Sequence, residues 1–160
     1  MDLRIRTSRL VGRTASIFLL LLLSSLGAIQ ALALSDPPIP TGDIRIHYFR
    51  PDGNYSGWTI YAFDNTTENT GGYGTGPVTV TGTDSYGVYF DVGVTNGAQE
   101  VGIILHNLVS GQKDTPNNLF VDPSSQSFEY WAYSGIACLY TSAPNLSNPT
   151  AILPGYVRLH

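Results

Sequence analysis

The chain has 160 residues, of which 12% are charged, a formal net charge of −4 at pH 7 and one cysteine. A lone cysteine excludes an intrachain disulfide and any multi-cysteine metal site. The acidic balance leaves no basic patch to neutralise phosphates, so neither nucleic acid nor an anionic membrane surface is an expected partner.

Four arginines (Arg4, Arg6, Arg9, Arg13) precede an uncharged run whose apolar heart is Ile17 to Leu23, and Ala31-Leu32-Ala33 offers a small-residue cleavage site. Residues 1–33 therefore read as a signal peptide. The alternative is an uncleaved membrane tether, but the apolar heart falls short of the ~20 residues that span a bilayer. The expectation is a secreted or cell-surface protein with no stable membrane insertion after cleavage. Beyond Ala33 remain 127 residues, with Arg45, Arg50, Lys113 and Arg158 facing eleven acids, a formal charge of −7. That length suits one domain with one core.

Residues 34–42, with three prolines, read as a linker. Asp43 to Phe63 then reads as a hairpin, because two runs of alternating bulky residues flank the turn-rich segment Arg50 to Gly57. Side chains alternate along a strand. Ile44, Ile46 and Tyr48 thus share a core face opposite Arg45, His47 and Phe49, while Trp58, Ile60 and Ala62 face the core and leave Thr59, Tyr61 and Phe63 pointing away. Two rings on one non-core face make an apolar platform for a planar or sugar-like ligand. The competing reading buries Tyr61 and Phe63 beneath a second sheet.

Residues 65–76 are polar and glycine-rich, a loop. Pro77 to Thr81 reads as a short strand with Val78 and Val80 in phase, and 82–85 as a turn. Tyr86, Val88, Phe90 and Val92 alternate as one buried face, and Asn96-Gly97 suits a tight connection. Val101, Ile103 and Leu105 mark the next strand. The polar loop 107–118 follows, holding Lys113, the only lysine in the chain. Leu119 to Asp122 is short and extended; Phe128 to Tyr133 is a strand with aromatics on both faces. The expected fold is all-β: an immunoglobulin-like antiparallel β-sandwich of seven or eight short strands spanning 43–135, with Trp58, Ile46, Tyr48, Phe90 and Ile103 in its core. Residues 136–154 read as a terminal short strand and linker. Val-Arg-Leu-His at 157–160 repeats Ile-Arg-Ile-His at 44–47 with an offset of 113 residues, so 155–160 read either as the start of a truncated second repeat or as a last edge strand.

For chemistry the inventory is thin. His47 and His106 lack a third ligand close in sequence, and Glu68, Glu100 and Glu129 form no evident acid pair for glycoside hydrolysis. Asp64, Asn65 and Glu68 lack the oxygen count of a calcium loop. No cofactor and no metal are expected. Cys138 reads as a small buried hydrophobe, a free thiol or half of an intermolecular bridge. Lys113 with Asp114, Asn117 or Asn118 reads either as a ligand-contacting loop or as a solvated pair.

HYFRPDGNYSGWTIYAF, with EVGIILHN, GQKDTPNNLFVD and EYWAYSG after it, resembles the pullulanase-associated module, carbohydrate-binding module family 41 of bacterial α-glucan-degrading enzymes. The likeness runs from about Asp43 to Gly135. It implies a β-sandwich that binds starch-like α-glucan without catalysing anything, with a catalytic domain in a longer parent. It further implies that Tyr61 and Phe63 stack on glucose, Phe63 standing where the family usually has tryptophan. Lys113 matches the family's binding lysine, and Asn118 occupies the position of its aspartate. Two other readings stay open: a secreted hydrolase or a piece of one, and a structural or adhesive sandwich that binds no glycan.

Overall fold

The computed structural model describes residues 36–68, 71–125 and 127–147. The segments expected to be a signal peptide (1–33) and the start of a second repeat (155–160) lie outside them. Eight strands follow in chain order: β1 Asp43–Phe49, β2 Trp58–Phe63, β3 Gly82–Thr83, β4 Val88–Gly93, β5 Val101–Asn107, β6 Leu119–Val121, β7 Glu129–Tyr133 and β8 Leu139–Tyr140. They form a five-stranded sheet ordered β3-β4-β1-β7-β8 and a three-stranded sheet ordered β2-β5-β6. Among the described residues no helix is long and apolar enough to cross a membrane.

The inner face of the larger sheet comes from β1 and β4, registered antiparallel with Ile44 opposite Val92, Ile46 opposite Phe90 and Tyr48 opposite Val88. In the smaller sheet Ile60 lies opposite Leu105 and Ala62 opposite Ile103. These side chains meet in one core, where Ile46, Tyr48, Phe90 and Ile103 are fully buried and Trp58 nearly so. Both sheets thereby bury one alternating face, the condition under which a sandwich is stable.

Three expectations need correction. Asp43 to Phe63 is not a hairpin: β1 pairs with β4 on one edge and with β7 on the other, while β2 pairs with β5 in the opposite sheet. With both edges of β1 occupied, β2 has no hydrogen-bonding place beside it, and residues 50–57 carry the chain between sheets. That passage is a series of turns, with Gly53 and Gly57 at positive φ (64° and 76°) and Trp58 N–H donating to the Tyr55 carbonyl at 3.1 Å. The sandwich is not wholly antiparallel, since β1 and β7 run parallel. Finally, no strand runs from 77 to 81. Val78 forms only an isolated bridge to Ile60, Val80 is exposed, and the short pairing is at Gly82–Thr83.

The turn expected at 82–85 accordingly falls later. Asp84 Oδ1 accepts both the Tyr86 and Gly87 N–H groups at 2.7 Å and closes it. Tyr86 is buried but lies outside the strand, beside Phe49, and donates its hydroxyl to the Ala132 carbonyl. The outer face of the larger sheet also buries charge. Arg45 makes a bidentate pair with Asp91 (2.7 and 2.8 Å), lies over the Tyr89 ring and donates to the Pro37 carbonyl.

Candidate functional site

The outer face of the three-stranded sheet is built in rungs. Residues opposite each other on antiparallel strands share a face, so Thr59 lies beside His106, Tyr61 beside Ile104, and Phe63 beside Gly102. Phe120, opposite Gly102 on β6, extends the last rung, and Lys113, bridged to His106, extends the first. Alternation thus places Tyr61, Phe63, Phe120 and Lys113 on one face.

Tyr61 and Phe63 are half-buried and stand side by side, their centroids 5.8 Å apart and their planes only 17° from parallel. Gly102 permits this, because a Cβ there would overlap the Phe63 ring. Two further rings meet the pair edge-on. Tyr73 is 5.6 Å from Tyr61 at 84°, and Phe120 is 5.9 Å from Phe63 at 79°. Each is 49% exposed. Tyr73 also packs against the buried His106 ring at 4.9 Å, and burial holds the His106 imidazole below its ordinary pKa.

Lys113 and Asn118 are in contact with each other. The Lys113 ammonium donates to Asn118 Oδ1 at 2.9 Å and to the Pro116 carbonyl at 3.3 Å. Asp114 is different in kind: its side chain is 5% exposed and works as an internal anchor. It accepts from the Tyr48 hydroxyl (2.7 Å), the Ser134 hydroxyl (2.7 Å) and Gly135 N–H (3.0 Å), and its oxygen lies 3.5 Å from the Arg50 guanidinium. Of the acceptors read from the loop, Asp114 is therefore turned inward, whereas Asn117 and Asn118 are exposed. Arg50 in turn lies over the Trp58 ring at 4.2 Å, so Trp58 is covered from outside as well as packed into the core.

Tyr73, Phe120 and Gly102 escaped the sequence reading as site residues. For Phe120 a signal existed, a ring out of phase with the inward Leu119 and Val121. For Tyr73 there was none, because it sits in a glycine-rich loop without period. Among the described residues the group close enough to share a cation is Asp36, His47 and Asp84, on the outer face of the other sheet. Asp84 closes its turn and pairs with His47 Nδ1, and the His47 ring is stacked on Trp131, while His47 Nε2 is buried without a hydrogen-bond partner. Cys138 is exposed and free, so it is not a buried hydrophobe.

A two-sheet sandwich with a cluster of aromatic rings on one outer face has the architecture of a carbohydrate-binding module. Residues 42–141 match the family model of the Bacterial pullanase-associated domain. The chain belongs to that family, and the domain is a non-catalytic module of the family 41 carbohydrate-binding type. Similar curated proteins include an α-amylase of Streptomyces lividans, 30% identical over 92 residues, 56% of this chain and 10% of that protein. Pullulanase A of Streptococcus pneumoniae is 29% identical over 68 residues, 42% of this chain and 5% of that protein. The chain thus spans a tenth or less of these relatives.

Among solved structures, streptococcal family 41 modules described as recognising α-glucan superpose with a TM-score of 0.59 at 20% identity, over 66% of this chain and 49% of that one. A Klebsiella pneumoniae pullulanase complexed with maltotriose gives 0.56 at 16% identity, over 67% of this chain and 11% of that one. At such identities the likeness establishes the fold.

Proposed function

We propose that this domain binds α-glucans of the starch, amylopectin, pullulan and glycogen class, as an exported accessory module of a longer pullulanase- or amylase-type enzyme. The observation that carries the reading is the near-parallel, part-exposed Tyr61–Phe63 ring pair on an outer sheet face. A pyranose ring has a less polar face, and laying it on an aromatic ring releases water from both surfaces. Stacking of this general kind contributes ~1–3 kcal/mol per ring where it has been measured on bases. Two adjacent rings accept two adjacent sugars, and Lys113 and Asn118 supply a donor and an acceptor for hydroxyls from the rung next to Tyr61. Family membership supports the ligand class. The small share of the amylase and pullulanase chains that the domain matches supports the accessory role. The signal-peptide pattern supports export.

Gel electrophoresis with amylopectin in the matrix tests it. Tyr61→Ala and Phe63→Ala should each lose most of the retardation seen for the unmodified protein while keeping its unfolding midpoint. Unchanged mobility of both variants would overturn the assignment.

A further inference from the structure

We propose that the outer face of the larger sheet holds a divalent-cation site of the zinc class, with His47 Nε2 as its nitrogen ligand, Glu129 and Asp36 as its oxygen ligands, and Asp84 as the residue that orients the imidazole. The site is on the other sheet from the Tyr61–Phe63 pair, so the inference is independent of the glucan reading.

His47 is 2% exposed, and its Nε2 is the buried side-chain atom left without a hydrogen-bond partner among the described residues. The proton on the ring can be placed. Burial alone would raise the Asp84 carboxyl, but Gly87 N–H, His47 and Tyr86 N–H together hold it below its usual range, so it is ionised and can only accept. Its Oδ1 takes the two backbone N–H groups and its Oδ2 meets His47 Nδ1. Nδ1 therefore carries the proton, and Nε2 of the neutral ring carries a lone pair. Facing that lone pair is a second acceptor, Glu129 Oε1, at 3.7 Å.

Two acceptors turned toward each other at a buried atom call for a positive charge between them. At 3.7 Å they are too far apart to share a proton in a hydrogen bond. Two ligands of one tetrahedral zinc ion, with bonds of about 2.0–2.2 Å, stand about 3.3–3.5 Å apart. A small movement of Glu129, whose side chain is 43% exposed, brings the pair to that spacing. Asp36 and Asp84 each bring an oxygen within 4.8 Å of a His47 ring nitrogen and of each other. The direct bond from Nδ1 to Asp84 leaves no room for an ion on that side of the ring. The ion thus belongs at Nε2, with Asp84 in the outer position commonly found behind a metal-bound imidazole. Trp131, stacked on the ring at 4.8 Å and 5°, fixes its plane. Charge agrees with this reading: Arg45, the cation on the same face, is already bidentate on Asp91. An imidazole joined by carboxylates suits zinc, whereas calcium and magnesium take oxygen ligands. The ligands come from β1, β7 and the segment entering the sandwich, too far apart in sequence to show as a spacing, and an ion there would tie the three together.

The test is calorimetric titration of the chelator-stripped full chain with zinc chloride, with calcium chloride as the control. One zinc ion should bind per chain and raise the unfolding midpoint, and calcium should give no heat. His47→Gln should abolish zinc uptake. Because that change falls at a buried position, Glu129→Ala, at a part-exposed side chain, supplies a second reading: the fold is kept and zinc affinity falls about tenfold or more. Asp36→Ala should weaken binding in the same direction. Asp84→Asn can still close its turn through Oδ1 but offers an N–H to Nδ1, which moves the ring proton to Nε2, so zinc affinity should fall about 10–100-fold. A chain that takes up no zinc, or that prefers calcium, would overturn the inference. So would zinc affinity unchanged in both His47→Gln and Glu129→Ala.

Discussion

Replacing Asp114 with alanine should damage stability far more than its place in a polar loop suggests. The carboxylate is the acceptor for the Tyr48 hydroxyl, the Ser134 hydroxyl and Gly135 N–H, and it is the inner neighbour of Arg50. After truncation water can reach Gly135, which is exposed, but not the Tyr48 side chain, which is fully buried. The loss is then dominated by a Tyr48 hydroxyl proton left without an acceptor and a guanidinium that loses its inner carboxylate. A stranded buried polar group costs about 1–3 kcal/mol, and removing one partner of a buried pair about 3–5 kcal/mol. Because Arg50 keeps Asp52 at 2.7 Å as a second partner, we expect less than the combined ~4–8 kcal/mol, about 3–4 kcal/mol. For a domain near 100 residues that is a fall of about 12–25 °C in unfolding midpoint. Asp114→Asn keeps an acceptor and should lose about 1–2 kcal/mol. Urea unfolding monitored by tryptophan fluorescence reads both variants. A loss below about 1 kcal/mol for Asp114→Ala would refute the anchoring role and return the residue to the solvent-facing loop.

Lys113→Ala should behave in the opposite sense. It should leave stability within about 0.5 kcal/mol and weaken amylopectin retardation several-fold, and equal mobility to the native protein would count against its contact with sugar. Phe63→Trp, which enlarges the apolar platform, should tighten maltohexaose binding about two- to fivefold; calorimetry that showed weaker binding would mean that Gly102 and Phe120 leave no room for indole. Trp131→Ala should cost about 2–3 kcal/mol, the lower end for a large aromatic because the residue is only partly buried, yet leave glucan retardation of the folded protein intact. Stability should fall in two steps on acidification, read as urea midpoints against pH. Burial depresses the folded pKa of His106, so the unfolded chain takes up the proton first and stability drops as pH falls past about 6.5. Burial alone would raise Asp84, but Gly87 N–H, His47 and Tyr86 N–H together hold it below its usual range. Its contribution is therefore complete above about pH 4 and lost only at lower pH. His106→Gln should remove the first step alone.

Alternation made the faces legible and the pairings invisible. Ile44, Ile46 and Tyr48 announce a buried face, and Tyr61 and Phe63 announce the other side of β2, because both follow from the two-residue period of a strand. A hairpin and a crossing between sheets produce the same alternation, so nothing local in Asp43 to Phe63 could say that β1 finds β4 and β7 while β2 finds β5. Those choices are settled by partners at long sequence separation, such as Arg45 and Asp91. Arg45 and His47 were legible as an outward face but not as a buried one. Their burial depends on Tyr89, Trp131 and Pro37 arriving from three other parts of the chain. Tyr73 stayed hidden for a related reason: a ring in a glycine-rich loop has no period to declare its direction.

That outer face of the larger sheet is as rich in rings as the proposed site, and the contrast shows what makes an aromatic surface able to bind. Trp131 is stacked on His47 at 4.8 Å and 5°, Tyr89 has the Arg45 guanidinium 4.1 Å above its centroid, and Phe49 packs between Tyr86 and Tyr133. Those π-faces already hold partners, two of them cationic or potentially so, and a sugar would have to displace contacts that support the fold. On the smaller sheet the charges are withdrawn instead. Asp114 and Arg50 turn inward to Tyr48, Lys113 is tied to Asn118, and His106 is buried under Tyr73. The rings there touch one another, a glycine and the His106 ring, with no charged group against them, and Tyr73 and Phe120 stay half-exposed. It is the placement of polar groups beneath the rings, more than the number of rings, that separates a surface for recognition from one committed to stability.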